Sequence, residues 1–596
     1  MSNSSDSSFT AEEVFTLASI VSRMPKGCKE PVYYYHHTYR VKLDPTSIGK
    51  GPGSGPSKVV SEDFYLGTAE EVYNKVKSPE DSVKEVYHKA FGLPLAIFRV
   101  IEELGIRSII NKHIAKRRQG LTPGDYIAFG VLAKLCAPAV SWNGFQGWLA
   151  KTVLPEKLGL DLRLLDCQNF WDHFDKVLPE KKVDKTEPES QDSALNDDVI
   201  MAIEEDLWHR ILQLYAIPLD CILYDTTNCY TYFEPTTPSE LAAVGKNKAG
   251  RHELRQIGIS LAVTRSYIFP LLHMVFSGKI HDAKVFPENL TRMMHRLCAL
   301  GKGCKKVILV MDKGNNSKEN LEKVVRAEMD MVGSLVPSQH KELMSIPVEK
   351  FDLKIGELDV YEKRTVLWGI PVKVVVTYNQ RLAERQRLGF TKSADKLIHA
   401  LRETFEKHKR ERKVEIREAL ERVHRKSRVA GYVKYSVNGR RNKTITIGMD
   451  KKKGMKESTF GKRILFSTDT SMNAEDIIKI YNIDKSEIED AFKMAKDPDI
   501  IRLQPIRCWT DSKIRVYVFI SMLALLVLQV MLKKLEQNEM AMSAKVLKDE
   551  LKDIEEIGML RESKKVEVKV AEMSSIQKQL FDIFGLKRYT KRSAKK

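Results

Sequence analysis

The sequence is poor in cysteine, with eight residues among 596 and no two of them spaced as Cys-x-x-Cys. So sparse a set excludes a disulfide-stapled scaffold and indicates a reducing compartment. The N-terminus also lacks the pattern of a secretory signal, which is a basic start, an apolar run and a small-residue cleavage site. We therefore expect a cytoplasmic protein.

Long apolar runs are scarce as well. Only residues 516–532 approach a membrane span, and they contain Gln529 and fall short of the ~20 residues that a spanning helix needs. The sequence predicts a buried core helix there, with Arg515 and Lys533 reaching water at its ends. Across the chain, 43% of the residues are hydrophobic and 30% are charged, which excludes collagen-like, wholly disordered and coiled-coil-only proteins.

What the sequence does have is positive charge. It carries 98 Lys and Arg residues against 79 Asp and Glu residues, a net charge of +19. Such a surplus attracts a polyanion through counterion release, so nucleic acid is the first partner to consider. The charge alone leaves a second explanation open, namely that it only keeps the chain in solution.

Composition and periodicity divide the chain into six segments. They are an N-terminal segment with a Gly/Pro/Ser linker (1–80), a helical domain that could bind DNA (81–198), the first part of an α/β core (199–344), an insertion of hairpins and a charged helix (345–471), the last part of the core (472–540) and a basic C-terminal tail (541–596). We expect the charged helix at about 393–427 to be a solvated arm.

The first part of the core contains an acidic pair. Its predicted order of three strands, a helix, a strand, a helix and a strand gives a mixed sheet, and it is also the chain order of an RNase H-like core. Asp225 closes the strand CILYD and Asp312 closes the strand VILVMD. Strand ends are where open α/β sheets bind ligands, although a single Asp there is commonly a turn former. Two carboxylates that converge need a hard divalent cation to stay ionised together.

A third carboxylate is predicted on a helix over 483–496. At ~100° per residue, Lys485, Glu489 and Lys496 share one stripe of this helix, beside an apolar stripe that would pack on the sheet. Glu489 thus emerges at the border of the buried face, between two lysines that could hold a phosphate. A solvated Glu paired with lysines on the same helix is the alternative.

A basic hairpin is predicted around the Asn-Gly pair of YSVNGRRNKTITIGM. It brings Arg440, Arg441 and Lys443 to or near an exposed turn. These side chains are candidates for contact with a phosphate backbone, and a solvated hairpin is the other interpretation.

These motifs together resemble the DDE-type insertion-sequence transposases of the insertion-sequence-four superfamily. The resemblance covers about 205–340 and 472–535, and the stretches that carry it are YDTTN (224–228), VILVMDKGNNSKENLE (307–322), IEDAFKMAK (488–496) and PIRCWTDSKIRVYVFISMLALL (505–526). That family shows Tyr-x2-Arg-x3-Glu-x6-Lys around its catalytic Glu. Here Glu489-x6-Lys496 matches, Lys485 takes the Arg position, and Tyr481 stands one residue too early.

The resemblance implies a fold and a reaction. The fold is α/β, an RNase H-like mixed sheet with flanking helices, interrupted by a β-rich and helical insertion and preceded by an all-helical domain. Asp225, Asp312 and Glu489 would be catalytic and would hold two Mg²⁺ ions, for which Mn²⁺ can substitute. Lys485, Lys496 and Tyr481 would bind DNA phosphates.

The family also implies the biological setting. The protein would cut double-stranded DNA at transposon ends and transfer the strands into target DNA, as a nucleoid-associated homodimer without a membrane. Two alternatives stay open, a stand-alone RNase H-like nuclease and an inactive descendant retained as a DNA-binding protein. The long insertion and basic patches argue against the first, and the intact acidic set argues against the second.

Overall fold

Neither of the two units into which the chain folds is continuous in sequence. Unit 1 comprises Met1–Pro179, Pro498–Arg502 and Leu526–Lys596, and unit 2 comprises Glu180–Asp497 and Leu503–Leu525. The computed structural model describes residues 16–25, 30–42, 57–77, 83–116, 120–178, 198–232, 234, 236–245, 250, 253–312, 314, 316–450, 452–561 and 566–590.

Strands and helices are interspersed along the whole chain. In chain order, the strands are β1 (Thr16–Arg23), β2 (Val32–Lys42), β3 (Ser57–Thr68), β4 (Val83–Ala90), β5 (Cys221–Tyr230), β6 (Ala243–Val244), β7 (Arg255–Thr264), β8 (Pro270–Ser277), β9 (Ile308–Met311), β10 (Asp330–Ser334), β11 (Leu353–Ile355), β12 (Leu358–Leu367), β13 (Ile370–Tyr378), β14 (Val433–Asn438), β15 (Thr444–Met449), β16 (Lys462–Ser467), β17 (Glu555–Arg561) and β18 (Val566–Val570). The α-helices are α1 (Ala69–Lys77), α2 (Gly92–Glu103), α3 (Ile106–His113), α4 (Pro123–Cys136), α5 (Trp142–Ala150), α6 (Leu154–Leu158), α7 (Cys167–Val177), α8 (Asp198–Leu214), α9 (Asp282–Ala299), α10 (Lys318–Arg326), α11 (Lys341–Met344), α12 (Gln380–His408), α13 (Lys413–Arg425), α14 (Lys452–Glu457), α15 (Ala474–Lys496), α16 (Asp511–Gln537), α17 (Ala544–Lys552) and α18 (Ser575–Ile583).

Unit 2 is built on a ten-stranded mixed sheet in the order β11-β12-β13-β16-β10-β9-β5-β7-β6, with β8 paired to β7. β5, β9 and β10 run parallel to one another, and β7 is antiparallel to β5. The inner strands are apolar and buried along their length, as expected for strands covered on both faces. The predicted mixed α/β core is therefore confirmed.

The insertion predicted at 345–471 is not separate from this sheet. Its strands β11, β12, β13 and β16 extend the core sheet beyond β10. The helix expected over 393–427 is instead two helices, α12 and α13, which break at residues 409–412. They do not form a solvated arm, because their buried residues share a hydrophobic core with β14 and β15 that includes Leu401, Phe405 and Leu420.

Unit 1 contains a three-stranded sheet, β1-β2-β3, and a second sheet in the order β18-β17-β4. Residues 92–177 form α2 to α7, but Val83–Ala90, expected to open an all-helical domain, form β4. That strand is stabilised by antiparallel pairing with β17, which places Tyr87 opposite Gly558. A Cβ atom at Gly558 would lie 2.0 Å from the Tyr87 ring, so any larger residue there would force that ring to move.

The C-terminal segment also differs from its expectation. Residues 541–596 are not simply a basic tail, because they supply α17, β17, β18 and α18 to unit 1. The ring of Phe581 stacks on Phe91 with centroids 5.9 Å apart, so this segment shares a core with the start of α2.

The apolar segment at 516–532 lies within α16, as predicted for a core helix. Its length and composition would allow α16 to cross a membrane, and 89% of its most apolar window is buried within the protein. Lys533 is only 6% exposed, so the prediction that it reaches water is wrong.

Candidate active site

The two predicted aspartates lie side by side in the unit 2 sheet, where β9 ends. Tyr224 of β5 pairs with Met311 of β9 in parallel register. The next residues, Asp225 and Asp312, are therefore neighbours on adjacent segments of the sheet. Adjacent strands are about 4.8 Å apart, which sets the spacing of the two main chains. Tyr224 and Met311 are buried, and because side chains alternate, both carboxylates point to the opposite face of the sheet.

The two aspartates differ in where they stand on their strands. Asp312 follows the last residue of β9, as predicted. The prediction that Asp225 closes its strand is wrong, because β5 continues to Tyr230 through antiparallel pairing with β7. Asp225 therefore lies within its strand, where it pairs with Leu261 of β7, and it stands beside the end of the neighbouring strand β9.

The helix that carries Glu489 lies across the sheet at this place. α15 begins at Ala474, nine residues before the predicted start, because Asn473 caps it by accepting a hydrogen bond from the Asp476 amide (2.7 Å). It packs against β5, β9, β10 and β16 through a buried stripe that includes Ile488 and Ala491.

Tyr481 joins α15 to the acidic pair. Its hydroxyl lies 3.0 Å from Asp312 Oδ1 and 2.7 Å from Ser334 Oγ, and the residue is 4% exposed. Burial, and after it the Asp312 carboxylate, raise the pKa of the Tyr481 phenol, so the ring stays protonated and can donate. The expected contact of Tyr481 with a DNA phosphate does not suit a side chain that is buried and bonded in this way.

Lys496 joins the other end of α15 to β5. Its Nζ atom donates to Thr227 Oγ1 and to the main-chain oxygen of Asn228 (3.0 Å). The ammonium group is thus held two to three residues beyond Asp225 along β5. The Lys485 side chain, expected on the same stripe, lies outside the described residues.

Glu489 lies between these two attachments, about 12 Å along the helix axis from Tyr481 and about 10 Å from Lys496. It lies within about 20° of Lys496 around the helix, so it is on the side that turns towards β5. The residue is exposed. Among the described residues, no group of three or more His, Cys, Asp or Glu side chains is arranged to hold a metal ion. The acidic pair nevertheless offers the carboxylate oxygens that Mg²⁺ prefers.

The basic hairpin divides into two parts. β14 and β15 pair from Val433 to Met449, with a five-residue loop rather than a two-residue Asn-Gly turn. Arg440 and Arg441 are exposed in that loop. Lys443 differs, because its Nζ atom donates to the main-chain oxygens of Glu411 (2.5 Å) and Lys409 (3.3 Å). It therefore ties the hairpin to the α12–α13 connection.

Ser334 is a site residue that the sequence did not reveal. The strand MVGSLVP contains one serine among apolar residues, and nothing local distinguishes it from an ordinary strand residue. Only its position could have indicated a role, because Ser334 ends β10, the strand that follows β9 and is parallel to it.

Comparisons with known proteins give a limited result. No protein-family model and no curated protein matches the chain. Among solved structures, a piggyBac transposase synaptic complex with hairpin DNA is similar at 10% identity and a TM-score of 0.37, over 77% of this chain and 79% of that one. A Mos1 transposase paired-end complex with the left transposon end follows at 9% identity and a TM-score of 0.14, over 36% and 60%. Values this low carry no argument about function.

Proposed function

We propose that this protein is a DDE-type DNA transposase of the insertion-sequence-four superfamily, which cuts DNA at the ends of its element and joins those ends to target DNA. One observation carries the proposal. Asp225 and Asp312 are neighbours on parallel segments of one sheet. The helix α15 lies across them and carries Glu489 between Tyr481 and Lys496, which both hydrogen-bond to residues of that sheet.

The sheet topology supports the assignment. Its central strands lie in the order β8-β7-β5-β9-β10. β8 is antiparallel to β7 and β7 is antiparallel to β5, whereas β5, β9 and β10 are parallel. This is the strand order of an RNase H-like core, in which the first and fourth strands are neighbours. Asp225 and Asp312 belong to these two strands and their ends, so the fold brings them together although 86 residues separate them in the chain.

The acidic pair supplies carboxylate oxygens of the kind that a divalent metal centre uses, and Glu489 on the helix across the sheet is the candidate third ligand. Asp225, Asp312 and Glu489 would hold two Mg²⁺ ions, which supply Lewis-acid stabilisation of an in-line displacement at phosphorus. The chain itself does the positioning. Because Lys496 is fixed to Thr227 and Asn228, it holds a positive charge two to three residues along β5 from Asp225, where it would neutralise a scissile phosphate as a point charge.

A nucleic-acid partner also follows from the charge of the insertion. Residues 380–450 contain 20 Lys and Arg residues against 9 Asp and Glu residues, so this stretch holds more than half of the net +19. Much of that charge lies on the exposed faces of α12 and α13. A duplex held by this surface, and a homodimer that brings two ends together, complete the proposal.

The test is cleavage of candidate element ends with Mg²⁺. Asp225→Asn, Asp312→Asn and Glu489→Gln should each abolish cleavage and leave end binding largely intact, because they remove metal ligands rather than backbone contacts. Asp330→Asn is the matched control and should cleave normally. Asp330 begins β10, so it lies at the end of the parallel strands that is opposite to the acidic pair.

The products separate the alternatives. Joining of cleaved ends to target DNA supports a transposase, whereas hydrolysis without joining would show a stand-alone nuclease. Specific end binding by a wild-type protein that never cleaves would show an inactive descendant. Near-normal cleavage by any of the three acidic variants would remove that residue from the site.

A further inference from the structure

Ser334 occupies the same row of the sheet as the two aspartates. Gly333 of β10 pairs with Met311 of β9, so Ser334 follows Gly333 as Asp312 follows Met311. Its main chain is fixed independently of its hydroxyl, because the Ser334 carbonyl oxygen accepts a hydrogen bond from Asn316 Nδ2 (2.7 Å). Ser334 is 8% exposed, so its hydroxyl faces protein.

The hydroxyl of Tyr481 connects Ser334 to Asp312. An ionised carboxylate can only accept, and a phenol has one proton, so Tyr481 donates to Asp312 Oδ1 and Ser334 donates to Tyr481. The result is a directed chain from Ser334 through Tyr481 to Asp312. Successive hydrogen bonds in such a chain polarise and strengthen one another when they are buried. A hydrogen bond to an ionised oxygen is also stronger than one between neutral groups.

We propose that Tyr481 and Ser334 are positioning residues that hold the Asp312 carboxylate in the orientation required for divalent-cation binding. The inference rests on the proposed function, because it takes Asp312 as a metal ligand. It gives Tyr481 a different role from the phosphate contact expected from its place in the sequence. Tyr481, which stands one position before the motif tyrosine, would thus orient Asp312 and not contact a phosphate.

The physical basis is the cost of leaving a metal ligand unoriented. Partners that hydrogen-bond to ligands typically account for 10–100-fold in metal affinity. Tyr481 reaches Asp312 from α15 and Ser334 supports it from β10, so both neighbouring elements fix the same carboxylate. The bond to Oδ1 restrains rotation of the carboxylate.

The test measures Mn²⁺ affinity by isothermal titration calorimetry on the full-length protein without DNA. Tyr481→Phe should weaken the affinity about 10–100-fold, and Ser334→Ala should weaken it less. The double variant should be no weaker than Tyr481→Phe, because Ser334 acts through the hydroxyl that this variant lacks. Tyr435→Phe is the matched control: it removes a tyrosine–carboxylate bond (Tyr435 Oη to Glu421 Oε2, 2.9 Å) in the insertion and should leave the affinity unchanged.

Three results would overturn the inference. Wild-type affinity in a cooperatively folded Tyr481→Phe variant would remove Tyr481 from this role, and additive losses in the double variant would remove Ser334. If Tyr481→Phe does not fold, an unchanged affinity in Ser334→Ala overturns the chain. Absence of Mn²⁺ binding by the wild type, or unchanged affinity in Asp312→Asn, would instead overturn the proposed function, so the two failures are distinguishable.

Discussion

Lys496 Nζ donates to the main-chain oxygen of Asn228 at 3.0 Å, which fixes the last turn of the Glu489 helix to the strand that carries Asp225. A lysine held in this way has lost its conformational freedom before substrate arrives. Under the proposed function, its charge would be in place before the scissile phosphate arrives.

We expect Lys496→Met to lower the rate of end cleavage about 10²–10³-fold, the range seen when a fixed electrostatic group at a reacting centre is removed. Lys493→Met is the control on the same helix, because Lys493 is exposed and pairs with Asp490 within one turn. Single-turnover cleavage with Mg²⁺ measures both. Equal rates for the two variants would show that Lys496 only anchors the helix.

The basic hairpin should respond differently at its different positions. Arg440→Ala with Arg441→Ala should weaken DNA binding and flatten its salt dependence, because the slope of log K against log salt changes by about 0.9 for each phosphate of duplex DNA that is no longer neutralised. Titrations of end DNA at several salt concentrations measure this slope. An unchanged slope would mean that the DNA path avoids the hairpin.

Lys443→Ala should act on the insertion itself. It removes two hydrogen bonds to the main-chain oxygens of Lys409 and Glu411 and should cost roughly 1 kcal/mol of local stability. Hydrogen–deuterium exchange across residues 405–415 is the measurement, and faster exchange is the expected outcome. Unchanged protection there, with a flattened salt slope, would instead make Lys443 a DNA contact.

Truncation after Met540 should destroy unit 1. It removes β17, the partner of β4, and Phe581, which stacks on Phe91. The exposed β4 edge and the uncovered apolar surface predict aggregation or loss of a cooperative transition in thermal unfolding. A chain ending at Thr590 is the control and should unfold as the full-length protein does. Normal unfolding after truncation at Met540 would mean that α17 to α18 are dispensable.

Asp330 should make stability depend on pH. Burial, and with it the nearby Asp469 carboxylate, raise the pKa of Asp330 above 3.8, while a hydrogen bond from Thr468 opposes the shift. A raised pKa favours the neutral form, so the stability from this group is complete below pH 3.8 and is lost as the pH rises through the raised value.

The Asp330→Asn variant isolates this effect, because the amide oxygen can still accept from Thr468. Its melting temperature should match that of the wild type at acid pH and exceed it increasingly from pH about 4 towards neutrality. Melting curves recorded across this range are the check. A variant that is less stable than the wild type at neutral pH would contradict the assigned sign.

The acidic pair could be predicted from the sequence because each aspartate follows an apolar run, and parallel neighbouring strands bring such positions together. The start of α15 could not, since its cap, Asn473, lies in a segment without a strong apolar period. The break between α12 and α13 could not be predicted either, because no helix-breaking residue marks it. It falls in KHKRER, which has neither Pro nor Gly, and only the packing of Phe405 against Leu420 and its neighbours reveals two helices.

Long-range pairing was beyond local sequence signals. β4 and β17 lie far apart in the chain, and the close approach of the Tyr87 ring to Gly558 becomes visible only when the two strands are paired. The composition of the last ten residues suggested a tail, although Leu586, directly before them, is fully buried in unit 1.

The pairing of β4 with β17 also fixes when unit 1 can be finished during synthesis. Translation adds about 5–20 residues per second, so roughly 25–95 s pass between completion of β4 and the emergence of its partner. All of unit 2 is synthesised in that interval. Unit 1 thus becomes complete only after the entire unit 2 sheet has left the ribosome, so a chain that terminates between Asp312 and β17 would carry the acidic pair without a finished unit 1.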